Sequence, residues 1–488
     1  MTDSPIARTA SGPVRGFWRD LGTPDASAAF LGIPFAQPPV GKLRFAAPVA
    51  PKPWTEPLDA TEYGATPLRV TGADNLIPEP AVPGTSTLNV NVFTPSLDGA
   101  LPVLVWIHGG GYTEGSPASP WYDGARFNRD GVVTVSLSYR LGFDGFGFIE
   151  DAPANRGVRD WIAGLEWVQQ NIAAFGGDPS RVTIGGQSAG GGGVLTLLGM
   201  PQAQHLFQRA MSFSAALADV PPATARARSD RMAALGGITA DVDGFRSLTE
   251  RRIRQLQPQA ATPRKGIGMV LDLLTDGLPW GPVVDGELVK SPVVDSLRDG
   301  IGADKPLMLG STDDEFTMVA DRERGKLRLI PGRLLLLPFL RNRQIRKAYL
   351  AANTAQRKKG SAALVGRYVS DYIFRALVPR VAEARQRADA ATWAYRFSWV
   401  SPAKGWACHC LDVPYWFDGL DREKVANLAG PNPPQSLADE MHAAAVAFVA
   451  EGDPGWAPWS SAPGISRVFG DSGRAVAEDA YDSVLALV

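Results

Sequence analysis

Ser188 lies in Ile184-Gly185-Gly186-Gln187-Ser188-Ala189-Gly190-Gly191, between a strand-like run and a small-residue helical run, Gly192 to Leu198. A Gly-x-Ser-x-Gly turn in that setting is what a nucleophile elbow requires. The serine stands on a strained turn, and the glycines at 186 and 190 let neighbouring backbone pass where a Cβ would clash. The helix that follows directs its positive end toward the developing negative charge. A glycine-rich turn that merely contains a serine would not need the strand–turn–helix order.

A second turn, Trp106-Ile107-His108-Gly109-Gly110-Gly111-Tyr112, also closes an apolar strand. Consecutive glycines leave backbone N–H groups free to meet a substrate oxygen, and the expected oxyanion donors are the N–H groups of Gly110, Gly111 and Ala189. A phosphate loop would need a Lys-Ser or Lys-Thr after its glycines, and none follows. His108 reads as a residue that orients this loop.

A serine hydroxyl needs a base within hydrogen-bond reach. The chain has four histidines. His205 falls in a turn and His442 on a closing helix, both surface or packing positions, which leaves His409 in Trp406-Ala407-Cys408-His409-Cys410-Leu411-Asp412-Val413-Pro414-Tyr415. The order nucleophile, acid, base then places the acid between Ser188 and His409. The run Gly310-Ser311-Thr312-Asp313-Asp314-Glu315-Phe316 offers three carboxylates, and periodicity does not separate them.

These groups need a scaffold. The runs Leu88–Phe93, Pro102–Ile107, Val132–Leu137 and Arg181–Ile184 have the look of strands buried on both faces, and Asn155–Phe175 carries Trp161, Leu165, Val168 and Ile172 at helical spacing. Strand, helix, strand predicts a βαβ unit and a mostly parallel sheet flanked by helices. Alternation at Val14–Trp18 predicts a small N-terminal antiparallel sheet, further strands are expected at Pro306–Leu309 and Thr392–Trp399, and Asp439–Phe448 reads as a closing helix. One domain over 1–488 is expected, with a helical insert or lid at 321–359.

Composition sets bounds. The chain is 488 residues long, 45% hydrophobic and 20% charged, with a net charge of −1, so no global field draws it to nucleic acid or anionic membranes. The only cysteines, Cys408 and Cys410, are too close to staple the fold, and two thiols with four scattered histidines make no metal site of the Cys/His type. No basic-then-apolar leader opens the sequence and no run is long enough to span a bilayer, which gives a cytoplasmic expectation. Arg322 to Lys359 carries twelve Lys and Arg against one acid, Glu323. It reads first as a solvated helical face around an ordinary apolar stripe. Peripheral contact with an anionic membrane, or a lid over the site, is the sharper alternative.

The chain resembles the type-B carboxylesterase family, the cholinesterase-like branch of the α/β-hydrolases, along nearly its whole length. The marks are Gly-Ile-Pro-Phe-Ala-Gln-Pro-Pro-Val-Gly-Lys-Leu-Arg-Phe at Gly32–Phe45, Leu88–Pro95, the glycine loop, Ser138–Phe143, Asn171–Ile184 and Pro279–Gly286. The resemblance implies an α/β-hydrolase fold and carboxylic-ester hydrolysis through an acyl-enzyme on a Ser-Glu-His triad, with no cofactor and a small-molecule ester as partner. It implies Glu315 as the acid, by its spacing from Gly310, and Ser214 as a second serine bracing the triad. Gln187 stands where the family usually has glutamate, Phe316 where it has glycine, and Thr87 where it has an early cysteine. No tryptophan between Trp54 and Trp106 matches the choline-recognising aromatic, so the departures point to a bacterial-type general esterase. Tyr112, Trp280, Phe316, Trp416 and Phe417 are candidate walls of an apolar acyl or alcohol pocket. Amide or carbamate hydrolysis and acyl transfer would use the same residues, and some relatives in this family have lost the triad and serve as adhesion proteins.

Overall fold

Apolar runs rich in branched side chains become the strands of one large sheet. The computed structural model describes the chain apart from residues 1–3, 21, 25, 70–74, 262–266 and 471–474, with backbone alone at 267–271. In chain order the strands are β1 Ile6–Thr9, β2 Gly12–Arg15, β3 Phe17–Arg19, β4 Ser27–Pro34, β5 Leu58–Asp59, β6 Asn89–Thr94 and β7 Leu101–Ile107. Then come β8 Val133–Leu137, β9 Gly177–Gln187, β10 Arg209–Phe213, β11 Leu307–Thr312, β12 Thr392–Phe397, β13 Ser466–Phe469 and β14 Val476–Ala477. Among the described residues eleven of them form a sheet in the order β14-β13-β12-β11-β10-β9-β7-β8-β6-β4-β3.

The centre of that sheet, β8 through β7, β9, β10, β11 and β12 to β13, is parallel. Its two margins are antiparallel. Strands β6, β8 and β11 are buried at every position, as a sheet covered on both faces requires. The helix expected from Asn155 runs Arg156–Asn171, tightens into a 3-10 turn at Ile172–Phe175, and delivers the chain to β9. The closing helix spans Gln435–Glu451 and stops at Gly452, whose φ of 81° is the left-handed cap that glycine favours.

The small sheet differs from expectation. The run Val14–Trp18 is shared between two sheets: β2 pairs antiparallel with β1 and parallel with β5, while β3 joins the large sheet against β4. Alternation alone does not reveal that the chain changes sheets at Gly16.

What the sheet positions is its carboxyl edge. Ile107 pairs with Gly186, Phe213 with both Gln187 and Gly310, and Thr312 with Phe397, so the ends of five neighbouring strands lie side by side. In parallel sheets the ligand site lies beyond such ends. The segment 317–359 folds as short helices, Thr317–Arg322, Arg324–Leu327, Gly332–Leu335, Arg343–Ala352 and Thr354–Lys359. Four of the five pack on the helix Ser361–Ser370, and Arg343–Ala352 packs on the C-terminal turn. Leu336, Leu340, Tyr349, Leu364 and Tyr368 give this region an apolar cluster of its own.

Candidate active site

The elbow is held by main chain. Ser188 has φ 59° and ψ −124°, a left-handed conformation a non-glycine residue adopts only when its surroundings impose it. Its N–H donates to the Phe213 carbonyl at 2.9 Å, and its own carbonyl accepts from Gly192 at 2.9 Å and Ala216 at 3.0 Å. A Cβ on Gly190 would lie 2.0 Å from the Ile107 oxygen, and one on Gly186 would lie 2.5 Å from Gly190. The expected need for glycine at both places is therefore steric.

Ser188 Oγ donates to His409 Nε2 at 3.0 Å. On the other side of the ring, Nδ1–H donates to Glu315 Oε2 in a short contact. The remaining oxygen of Glu315 accepts from the Thr312 N–H at 2.8 Å, and the His409 N–H donates to the Glu315 carbonyl at 2.9 Å. The three carboxylates of this turn are sorted by partner. Asp314 is paired with Arg367 at 2.9 Å and Asp313 with Arg396 at 2.5 Å, which leaves Glu315 to the imidazole. Burial opposes charge on His409, but Cys410 and Glu315 beside it favour charge, and the balance holds it well above its ordinary 6.5.

His409 Nε2 has a second neighbour. The Gln187 amide nitrogen lies 3.2 Å from it, while the Cys410 thiol donates to the Gln187 oxygen at 3.5 Å. Asp412, three residues on, is fully buried beneath this cluster and accepts from Tyr395 at 2.9 Å. Burial pushes its carboxyl up to about 6, with the Glu315 charge adding to the effect.

Opposite the serine lies the glycine loop. Gly110 and Gly111 have φ values of 111° and 59°, and among the described residues nothing accepts from their N–H groups or from that of Ala189. Backbone amides without partners at a strand end fit an oxyanion site. His108 is stacked on Tyr139 and donates from Nδ1 to the Gly109 carbonyl at 2.8 Å, as a loop-orienting residue should. Burial pushes its pKa down to about 3, so it stays neutral. Two residues that motif reading missed support the loop from outside: Glu79 accepts from the Gly115 N–H at 3.0 Å and is paired with buried Arg69 at 3.4 Å. Neither sits in a motif, and their pairing exists only once the loop before β6 has folded back.

A cavity of about 290 Å³ joins these groups, lined by Ser188, His409, Gly109, Gly110 and Gly111. Its apolar wall includes Phe316, Ile373, Phe374 and Leu278, and Glu79 and Glu114 lie on its polar side. Phe316 and Phe374 both pack on the His409 ring, at 5.1 and 4.8 Å. Of the five aromatics expected at the pocket, Phe316 alone lines it. Trp416 stacks on Phe213 at 4.7 Å, and Phe417 packs edge-on against Trp106, both within the core. Tyr112 is spent on Phe146 and on the Ala216 carbonyl, and Trp280 on Phe143. Their size and neighbourhood in sequence suggested a wall, but the sheet's own core takes them.

Ser214 is corrected too. It is fully buried with φ 42°, but its hydroxyl has no hydrogen-bond partner among the described residues, so it does not brace Glu315 here. Thr312 supplies that contact through its backbone. His205 is exposed, and His442 is a packing residue between the Trp416 carbonyl and Asp130.

Known proteins share this fold over nearly its whole length. The model of the carboxylesterase family matches residues 3–464. The para-nitrobenzyl esterase of Bacillus subtilis is 32% identical over 476 residues, covering 92% of this chain and 90% of that one. The fumonisin B1 esterase of Sphingopyxis macrogoltabida is 31% identical, covering 96% and 86%. Among solved structures, the Geobacillus stearothermophilus carboxylesterase EST55 superposes with a TM-score of 0.82 at 30% identity, covering 97% of each chain.

Proposed function

We propose, from the premise that the chain belongs to the carboxylesterase family and is a serine hydrolase of carboxylic esters, that Ser188, His409 and Glu315 form its catalytic triad. The observation that carries this reading is the continuous relay of hydrogen bonds from Ser188 Oγ through the His409 ring to Glu315. Ser188 Oγ attacks the ester carbonyl as His409 Nε2 takes its proton. The negative oxygen of the tetrahedral intermediate is held by the N–H groups of Gly110, Gly111 and Ala189. Protonated His409 then gives its proton to the leaving alcohol, and the acyl group stays on Ser188. A water deprotonated by His409 attacks that acyl-enzyme and releases the acid. Glu315 holds the ring with Nδ1 protonated and stabilises the imidazolium without taking the proton.

The cavity favours a small ester whose apolar part lies along Phe316, Ile373, Phe374 and Leu278. Phe316 takes up room beside the imidazole, which supports short rather than bulky groups on that side. The chain works as one domain, with 321–359 as a helical excursion beside the site. Two buried free thiols, Cys408 and Cys410, support a reducing, cytoplasmic setting. Among the described residues no helix is long and apolar enough to cross a membrane. A panel of p-nitrophenyl esters of increasing chain length tests the reading, with Ser188→Ala as blank. Turnover highest for short acyl chains and absent in the variant is expected; turnover that survives in Ser188→Ala would refute the assignment.

A further inference from the structure

The solvated-face reading of 321–359 requires its apolar residues to turn inward, and only some of them do. Leu327 is buried, and Leu336 and Leu340 belong to the small cluster over the helix Ser361–Ser370. Leu329 is 77% exposed, and Ile330, Leu334, Leu337 and Ile345 are 40 to 47% exposed. Four of those five side chains fall within nine residues. Large aliphatic side chains so closely grouped on a surface mark an interaction site.

The charge around them is of one sign. Exposed Arg322, Arg328, Arg333, Arg341, Arg343 and Lys347 flank the aliphatic group and form no ion pair among the described residues. The two acids present, Asp321 and Glu323, are each already paired, with Arg324 and Lys326. The patch also adjoins the catalytic cavity. Phe316, which packs on His409, is packed against the insert's apolar cluster. A neighbouring cleft lined by Met318, Asp321, Arg322, Lys404 and Lys424 shares Asn75 and Leu76 with that cavity.

We propose that the face formed by 322–347 docks on an anionic lipid surface, with Leu329, Ile330, Leu334 and Leu337 in the headgroup–acyl boundary and the arginines on lipid phosphates. Exposed aliphatics supply the insertion and unpaired cations the attraction, the two contributions that peripheral binding combines. An acidic protein partner would account for the arginines but not for the exposed aliphatic group they flank. A second copy of this chain would bring like charges together. Docking through this face brings the cleft that shares Asn75 and Leu76 with the catalytic cavity toward the bilayer, where apolar esters concentrate.

The full chain should float with vesicles of phosphatidylcholine containing phosphatidylserine, and bind those of phosphatidylcholine alone at least about tenfold more weakly, since each cation near the surface contributes severalfold. Raising the salt should release it. The double variant Leu329→Ser/Leu334→Ser and the charge reversal Arg328→Glu/Arg333→Glu should each lower binding by about tenfold or more. Both should still hydrolyse soluble p-nitrophenyl acetate at the unaltered rate, which shows them folded. Equal flotation with both vesicle types, no flotation at all, or binding undiminished in both variants would overturn the proposal. So would a dimer in solution that Leu329→Ser/Leu334→Ser converts to monomer. The acetate assay reads the triad separately, so loss of docking and loss of chemistry are distinguishable.

Discussion

The elbow lines the catalytic cavity and the insert lines the cleft beside it, and the two are held in opposite ways. Around Ser188 the constraint is main chain against main chain: Gly190 passes the Ile107 oxygen with no room for a methyl group, and three backbone hydrogen bonds fix the serine. In the insert, Gly325 would have nothing within 4 Å of an added Cβ, and Leu329 stands in solvent. Chemistry here rests on backbone placement at the ends of parallel strands, whereas the shape of the pocket rests on side chains carried by short helices.

The contrast can be broken most sharply at the nucleophile. Ser188→Ala should lower kcat by roughly ten-thousandfold or more, leaving the fold intact by circular dichroism. The paired glycines come next. Gly190→Ala must push the elbow off Ile107, and should lose on the order of a hundredfold in turnover together with several degrees of Tm. Gly325→Ala should change neither. Equal effects at the two glycines would remove the distinction between a locked and an open region.

The same contrast explains what could be read from the chain. The elbow and the glycine loop were legible because main-chain geometry at such turns admits few residue types, and those types stand next to one another in sequence; His409 was legible because the chain holds only four histidines and the other three had plainer places. The parallel sheet was legible from its fully apolar strands. Glu315 was not separable from Asp313 and Asp314 by pattern, because their sorting depends on Arg367 and Arg396, far away in sequence. Resemblance to the family pointed to Glu315. The pocket was read least well: Ile373 and Phe374 carry no local mark, and Trp416 and Phe417 look the same whether they line a cavity or fill a core. The split of Val14–Trp18 between two sheets was hidden for a related reason, since alternation reports a face and not the sheet it belongs to.

Two smaller effects sharpen the account at the imidazole. Glu315→Gln should cost about a hundred- to ten-thousandfold in kcat. By removing a carboxylate that favours the imidazolium, it should also move the acid limb of kcat/KM to lower pH. In the parent enzyme that limb should lie above 6.5, because activity needs neutral His409 and its pKa is raised. Gln187→Glu places a carboxylate where the amide faces Nε2 and should shift the limb upward by up to about one pH unit. A pH profile unmoved by Gln187→Glu would mean that the amide does not sense the ring's charge.

Everything proposed for the site depends on Ser188 as the nucleophile, and its most direct test is covalent. Incubation with an active-site-directed organophosphate, followed by digestion and mass spectrometry, should place one phosphoryl adduct per chain on the peptide containing Ser188, with activity lost in proportion. An adduct on another residue such as Ser214, or full inactivation with Ser188 unmodified, would contradict the assignment.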